Sequence, residues 1–325
     1  MNFIKELFKG KVVLMGFLHL LVSFTSIVVV TGAVGFNLPL AFLFAGVGTL
    51  VFHAITKNKI PVTLGVSGVY VGSIISISSK YGSAFAHGGI IVAGLVYIVF
   101  ALIMFRWQKE VLSLFPKWLL ATVVLLIGLS LLPIGVSLIQ TSMIVGVSAL
   151  VATALVDLLG GKRLSMFAMP IGVLVGTAVA FTMTGIPAFP TIIGMEYVAP
   201  MFNLESMLTI GLLSIPVLFE MMGDTENTGD VIGKDIFKEV GLGRISLGNG
   251  LASILGGLGG SNAYTTYSEN TAFVMQSKFY NPKAQIWTGI FLILLAFLTP
   301  VSALISMIPI EAFGGVATYL FAMIT

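Results

Sequence analysis

Apolar stretches of about twenty residues recur along almost the whole chain, and that repetition leaves few folds open. They fall near residues 12–33, 38–56, 61–79, 85–105, 115–135, 140–160 and 165–184. After a polar interval they resume near 206–225, 243–259, 263–277, 284–307 and 309–325. Period alone does not separate helix from strand in such runs, but a segment in lipid must satisfy its backbone internally, which favours helix. The chain is 57% hydrophobic and only 9% charged, against roughly 25% charged residues in soluble domains. The expected fold is therefore an all-α polytopic membrane protein with about twelve transmembrane segments. In that setting a net charge of +3 concerns orientation in the bilayer, and nucleic acid is not an expected partner. The absence of cysteine excludes disulfides and thiolate chemistry. MNFIKELFKGK runs straight into the first apolar segment with no small-residue cleavage site, so it reads as the start of a membrane helix and not as a signal peptide.

With a cytoplasmic N-terminus, twelve spans put every Lys and Arg except Lys80 on the cytoplasmic side, a strong positive-inside pattern for a multi-pass protein of the cell membrane. Two segments are irregular. PVTLGVSGVYVGSIISISS, the third, begins at Pro61 and carries Gly65, Gly68 and Gly72. GGLGGSNAYTTYSENTAFVMQSK, the tenth, has a glycine run followed by polar residues. Glycine- or proline-interrupted segments at corresponding places in two halves point to a transporter built from inverted repeats with a midplane site. Their spacing of seven, an odd number, would invert the second copy.

Three carboxylates lie in stretches otherwise nearly free of charge: Glu220 and Asp224 in SIPVLFEMMGD, and Glu269 in TTYSEN. An ionisable group at bilayer depth costs at least ~2.5–3.5 kcal/mol on insertion scales and reads first as a substrate or proton site. Asp224 shares a helix face with Glu220 one turn earlier. A carboxylate accepts N–H bonds, and when protonated it can also donate to a carbonyl, as the edge of a pyrimidine requires. His19 lies mid-segment, where a helix–helix hydrogen bond and a site role are both open. His53 and His87 read as packing or interfacial residues, and three scattered histidines give no metal spacing. Asp157 reads as an ion pair with Lys162 and Arg163. Glu226, Asp230, Asp235 and Glu239 read as solvated loop charges. No cofactor is implied.

FLHLLVSFTS (17–26), AGVGTLVFHAITKNKIPVTLGVSG (45–68), LFPKWLLATVVLLIGLSLLP (114–133), FEMMGDTENTGDVIGKD (219–235) and GGSNAYTTYSENTAFVMQSK (259–278) together resemble the nucleobase–ascorbate transporter family, most closely its bacterial uracil permeases. MIPIEAFGGVATYLFAMI (307–324) is similar to the start of the family's twelfth segment. The resemblance implies two inverted seven-helix repeats and an extended stretch at the start of segments 3 and 10, with the substrate between them. It implies a core domain from 1–110 and 201–306, and a gate domain from 111–200 and 307–325. By the match, Glu220, Glu269, Gly68 and Ser268 bind a nucleobase, most directly uracil, while Asp224, His19 and Asn270 support the site or its proton coupling. A homodimer is possible on the same grounds.

The chain also departs from the family pattern. Ala272 stands for the signature glycine, Ser277 for threonine and Ala263 for a proline. Asp224 is similar to the xanthine and purine branch, whereas Glu269 is similar to the uracil branch. A purine permease is therefore an alternative, as is an anion carrier of the related sulfate-permease architecture, although two carboxylates disfavour anions unless protonated. LFAMIT ends without a charged or aromatic flank, which reads as a fragment or shortened gene, and a truncated relative that binds without transporting is a further alternative. An intramembrane enzyme using Asp157 and Asp224 lacks its motif, and the chain is not expected to be an enzyme.

Overall fold

The structure, a computed structural model, describes residues 2–114, 117–188 and 194–324; a few side chains inside helices, those of Ser268 and Glu269 among them, lie outside the description. In chain order the elements are α1 (Asn2–Leu7), α2 (Gly10–Val34), α3 (Leu38–Ile55), β1 (Gly65–Val66), a 3-10 turn (Gly68–Tyr70), α4 (Val71–Tyr81), α5 (Ser83–Leu114), α6 (Lys117–Ile139) and α7 (Met143–Leu159). There follow α8 (Gly161–Leu164), a second 3-10 turn (Ser165–Phe167), α9 (Ala168–Thr184), α10 (Leu204–Leu212), α11 (Ser214–Ile232), α12 (Ile236–Glu239) and α13 (Leu242–Leu258). The chain then forms β2 (Tyr264–Thr265), α14 (Ser268–Ser277), α15 (Lys283–Phe297), α16 (Thr299–Ser306) and α17 (Ile310–Ile324).

Each apolar interval carries helix, but the helices differ from uniform spans. Among the described residues, four helices are long and apolar enough by length and composition to cross a membrane: Gly10–Val34, Leu38–Ile55, Ser83–Leu114 and the combined Leu204–Ile232. Lys283–Phe297 and Pro300–Ser306 add a fifth if the pair is one span, and it bends by 83°. The expected single segment 284–307 is thus two pieces. The break falls at Leu298, whose ψ of 65° is not helical, and Pro300 stands in the first turn of α16, where a missing N–H costs nothing. Likewise 206–225 is divided at Leu213, and α11 restarts with Pro216 in its first turn, where a missing N–H costs nothing. That helix also outruns expectation. It continues to a left-handed stop at Gly233, so Glu226 and Asp230 are helical and not loop residues.

Local signals set the other boundaries. Asn37 caps α3 by accepting from Leu40 N at 3.0 Å, and Asn203 caps α10 by accepting from Ser206 N at 2.7 Å. The helices pack in two groups. In one, α13 lies against α5 and α3, α15 against α3 and α2, and α10 against α5. In the other, α17 lies against α6, α7 and α9. Here Gly315 allows near backbone contact, because a Cβ would stand 2.1 Å from the Gly146 carbonyl oxygen. The groups meet where α11 touches α6 and α17 touches α2.

The interrupted third and tenth segments meet inside the first group. There β1 pairs with β2 antiparallel, with Gly65 opposite Thr265 and Val66 opposite Tyr264. Buried extended backbone needs partners, and a two-stranded pair has two open edges. Side chains from flanking helices take those edges. From α3, Thr49 Oγ1 accepts from Leu64 N at 3.1 Å, and His53 Nε2 donates to the Val62 carbonyl at 2.8 Å. From α13, Asn249 Oδ1 accepts from Thr266 N at 2.9 Å, and Ser253 Oγ bonds both Tyr264 N and Tyr264 O, at 3.0 and 2.9 Å. So α3 serves β1 as α13 serves β2. Gly65 is required because a Cβ there would stand 2.3 Å from the Tyr267 ring.

Gly65→Ala should therefore destabilise the folded protein by about 1–3 kcal/mol, the usual range for overpacking. The control is Gly10→Ala, where a Cβ meets nothing within 4 Å. Thermal unfolding in detergent checks the pair, and equal shifts would show that the β1 contact is not tight.

Candidate functional site

Where the β pair ends, two helices begin. Gly68 opens the 3-10 turn that leads into α4, and Ser268 opens α14. The N–H groups of a first helical turn have no intrahelical acceptor. Glu269 is the next residue of α14, so its backbone is placed beside the β pair, while the Ser268 and Glu269 side chains fall outside the described ones.

The other carboxylates come from α11. Asp224 is almost fully buried, at 3% exposure, and Glu220 is half-buried one turn before it. The buried phenols of Tyr70 and Tyr97 lie within electrostatic reach of Glu220. Tyr70 OH donates to Ser214 Oγ at 3.2 Å, and Tyr97 OH stands 3.3 Å from Thr265 Oγ1 in β2. Glu220 therefore shares its surroundings with the first turn of segment 3, with α5 and with β2. Sequence reasoning missed both tyrosines. Tyr70 sits two residues past Gly68 and could have been suspected, whereas Tyr97 in GLVYIVF carries no local signal.

A hydroxyl pair ties α11 to α14. Thr228 Oγ1 donates to the Asp224 carbonyl at 2.8 Å and lies 2.7 Å from Thr271 Oγ1, both side chains being buried. The single Thr228 proton is committed to that carbonyl, so Thr271 is the donor between the two hydroxyls.

His19 and Asn270 also come together. His19 Nδ1 lies 3.3 Å from Asn270 Oδ1, and Asn270 Nδ2 donates to the Thr63 carbonyl at 2.8 Å. The second His19 nitrogen faces the Gln285 amide at 3.0 Å, a partner that the sequence did not suggest. Both ring nitrogens are thus engaged by protein groups. His53 and His87 each bond a backbone carbonyl, of Val62 and Ser261 respectively. Among the described residues, no group of three or more His, Asp or Glu could hold a metal ion.

Asp157 belongs to the second helix group, away from Asp224. It accepts from Tyr319 OH at 2.6 Å and from Ser165, joining α7 to α17. The expected ion pair rests on Lys162 and Arg163 side chains outside the described ones. Glu226, Asp230 and Asp235 line a cavity of about 600 Å³ with Lys109, Lys234 and Lys238. A second cavity, of about 510 Å³, lies where the two helix groups meet, between Val28, Gly32, His87, Glu196, Ile310 and Phe313. His87 is near the start of α5 and Lys109 lies past its kink at Trp107, so the two cavities lie toward opposite ends of that helix.

Two interrupted segments meeting between helices that cross the membrane define the architecture of a membrane transporter with inverted repeats. The fold is shared with the transmembrane domain of a cyanobacterium bicarbonate transporter, BicA, at a TM-score of 0.73 and 14% identity over 97% of this chain and 89% of that one. SLC26A9 matches at a TM-score of 0.71 and 10% identity over 96% of this chain and 57% of that one. The permease family model that covers xanthine and uracil permeases matches residues 10–325, and the chain belongs to that family. Similar relatives are the uracil permease of Escherichia coli K12, 31% identical over 94% of this chain and 75% of its own length, and that of Bacillus caldolyticus, 30% identical over 97% and 78%. A probable uracil permease of Pasteurella multocida is 28% identical over 97% and 79%. The chain is thus a multi-pass membrane permease and not an enzyme.

The Thr228–Thr271 bond generates a test. Thr228→Val and Thr271→Val should each cost about 1 kcal/mol of stability, the net worth of one buried hydrogen bond. The double variant should cost less than the sum of the singles, with a coupling of roughly 0.5 kcal/mol or more for residues in contact. Strict additivity in thermal or denaturant unfolding would show that the hydroxyls do not interact.

Proposed function

We propose that this permease is a proton-coupled symporter that imports a nucleobase, most directly uracil, by alternating access across the cell membrane. What supports the reading is the start of two helices at Gly68 and Ser268 just past the paired strands, with Glu269 next in α14, together with Tyr70 and Tyr97, which bring Glu220 of α11 within electrostatic reach of the same region. The uracil permease relatives supply the substrate class. A pyrimidine edge alternates N–H donors with carbonyl acceptors. Glu220 and Glu269 accept from ring N–H groups, and first-turn N–H groups of the half-helices donate to ring carbonyls. A proton on one carboxyl turns it into a donor and lowers the cost of carrying it at bilayer depth, which couples proton binding to occupancy. Asp224 supports Glu220 from the next turn.

The packing supports a core of 1–110 and 201–306 moving against a gate of 111–200 and 307–325, since α6, α7, α9 and α17 pack as one group. The cavity between the groups is one mouth of the path and the α11 cavity the other. The basic residues favour a cytoplasmic N-terminus. Asp224 favours a purine such as xanthine as the second reading, because it is similar to that branch of the family. A homodimer would brace the gate.

Uracil should raise the melting temperature of the purified protein in a dose-dependent way, because a ligand that binds only the native state stabilises it by mass action. Xanthine is the second candidate in the same panel, and sulfate and bicarbonate are expected to do nothing. Glu269→Gln and Glu220→Gln should each weaken binding by about 1–3 kcal/mol, since an amide presents a donor where the ring needs an acceptor. The exposed Glu110→Gln is the control. Stabilisation by inorganic anions alone would overturn the nucleobase reading in favour of an anion carrier. In proteoliposomes an inward proton gradient should stimulate uracil uptake; uptake indifferent to the gradient would remove the proton from the mechanism.

A further inference from the structure

Gln285 stands in the first turn of α15 and is fully buried, with no exposed surface. Its Nε2 lies 3.2 Å from the Pro61 carbonyl and 3.0 Å from His19 Nε2, and its Oε1 accepts from Thr63 Oγ1 at 2.9 Å. The Pro61 carbonyl can only accept, so the Gln285 atom facing it is the NH2 group. The remaining N–H of that group then points at His19 Nε2, which must be a bare acceptor. The imidazole proton is therefore on Nδ1, directed at Asn270 Oδ1. The far end agrees independently. Asn270 Nδ2 faces the Thr63 carbonyl, another group that can only accept, which turns Oδ1 toward His19. A single direction of donation runs from Asn270 and Gln285 into two carbonyls of the same extended segment, with His19 as the link. Thr288 Oγ1, 3.3 Å from Gln285 Oε1 and 3.0 Å from the Gly16 carbonyl, adds α2 to the cluster.

We infer that Gln285 is a positioning residue of the substrate site: it fixes His19 as the Nδ1–H tautomer and, through His19, orients Asn270 in the first turn of α14 beside Glu269. The link to substrate rests on the nucleobase reading; the tautomer does not. In this arrangement His19 is a spacer with a set polarity. A proton on Nε2 would face the N–H of Gln285, and turning the amide over would put its NH2 against the Thr63 hydroxyl and its oxygen against the Pro61 carbonyl. Carrying the coupled proton falls to the carboxylates. Nothing local in KAQIWTG signals this role, because all of the Gln285 partners but Thr288 lie more than two hundred positions earlier in the chain.

The test is solution or solid-state NMR of the full chain in nanodiscs with 15N-labelled histidine, the His19 signals being assigned by their loss in His19→Asn. The expected spectrum at pH 7 has a protonated Nδ1 and an unprotonated Nε2, with or without uracil. A proton on Nε2 in the wild-type protein would overturn the assignment. Gln285→Met, similar in size and without polar atoms, should lose the single tautomer and weaken uracil binding at least tenfold. If that variant does not fold, Thr63→Val, which removes only the hydroxyl facing Oε1, should loosen the tautomer and weaken binding at least threefold. A folded variant with a mixed tautomer and unchanged uracil affinity would sever Gln285 from the site. Wild-type protein that shows the expected tautomer yet binds no uracil would overturn the nucleobase reading alone.

Discussion

Two short stretches of extended backbone, buried inside a helical protein, set the terms for everything near them. Each peptide group in β1, β2 and their flanks carries a donor and an acceptor that lipid cannot satisfy. Pairing the strands meets part of that demand. The remainder falls on Thr49 and His53 of α3 and on Asn249 and Ser253 of α13. Polar residues on these helices are therefore structural, and their positions follow from where the strands lie. Steric fit adds a second constraint: the Tyr267 ring leaves no room for a side chain at Gly65, and Gly48 lets α3 approach Ala252 of α13 closely.

Much of this was legible in the sequence because it is local. Apolar runs located the helices, and Pro61 with Gly65 and Gly68, or the GGLGG run, marked the breaks. Glu220, Asp224 and Glu269 stood out because charge is rare in such surroundings. What escaped is instructive. The bend before Pro300 and the restart at Pro216 were signalled by prolines but were hidden inside continuous apolar stretches. Glu226 and Asp230 read as loop residues because polarity suggests the end of a membrane helix, whereas the stop is at Gly233. Tyr97, Gln285 and Thr271 could not be found, because each acts through a partner distant in sequence.

The polar residues of the core divide by function. One set closes the backbone of the broken segments. A second, Thr228 with Thr271 and Asn270 with His19 and Gln285, links α14 to α11, α2 and α15. Buried hydrogen bonds of this kind contribute only about 1 kcal/mol each to net stability, but leaving a partner unmatched costs more. Their effect on geometry is correspondingly larger than their effect on folding. The first turn of α14 is held from three sides, which fixes its position closely, as the proposed site would require.

The close contact between Gly315 and Gly146 has a mechanical consequence. Backbones this close leave no room for a side chain between them, so α17 and α7 pack as one unit, to which the hydrogen bond from Tyr319 to Asp157 adds a tie. In the proposed core-and-gate motion such a unit would move as a whole, and the displacement would fall at the seam where α11 meets α6 and α2 meets α17, beside the helix that bears Glu220 and Asp224.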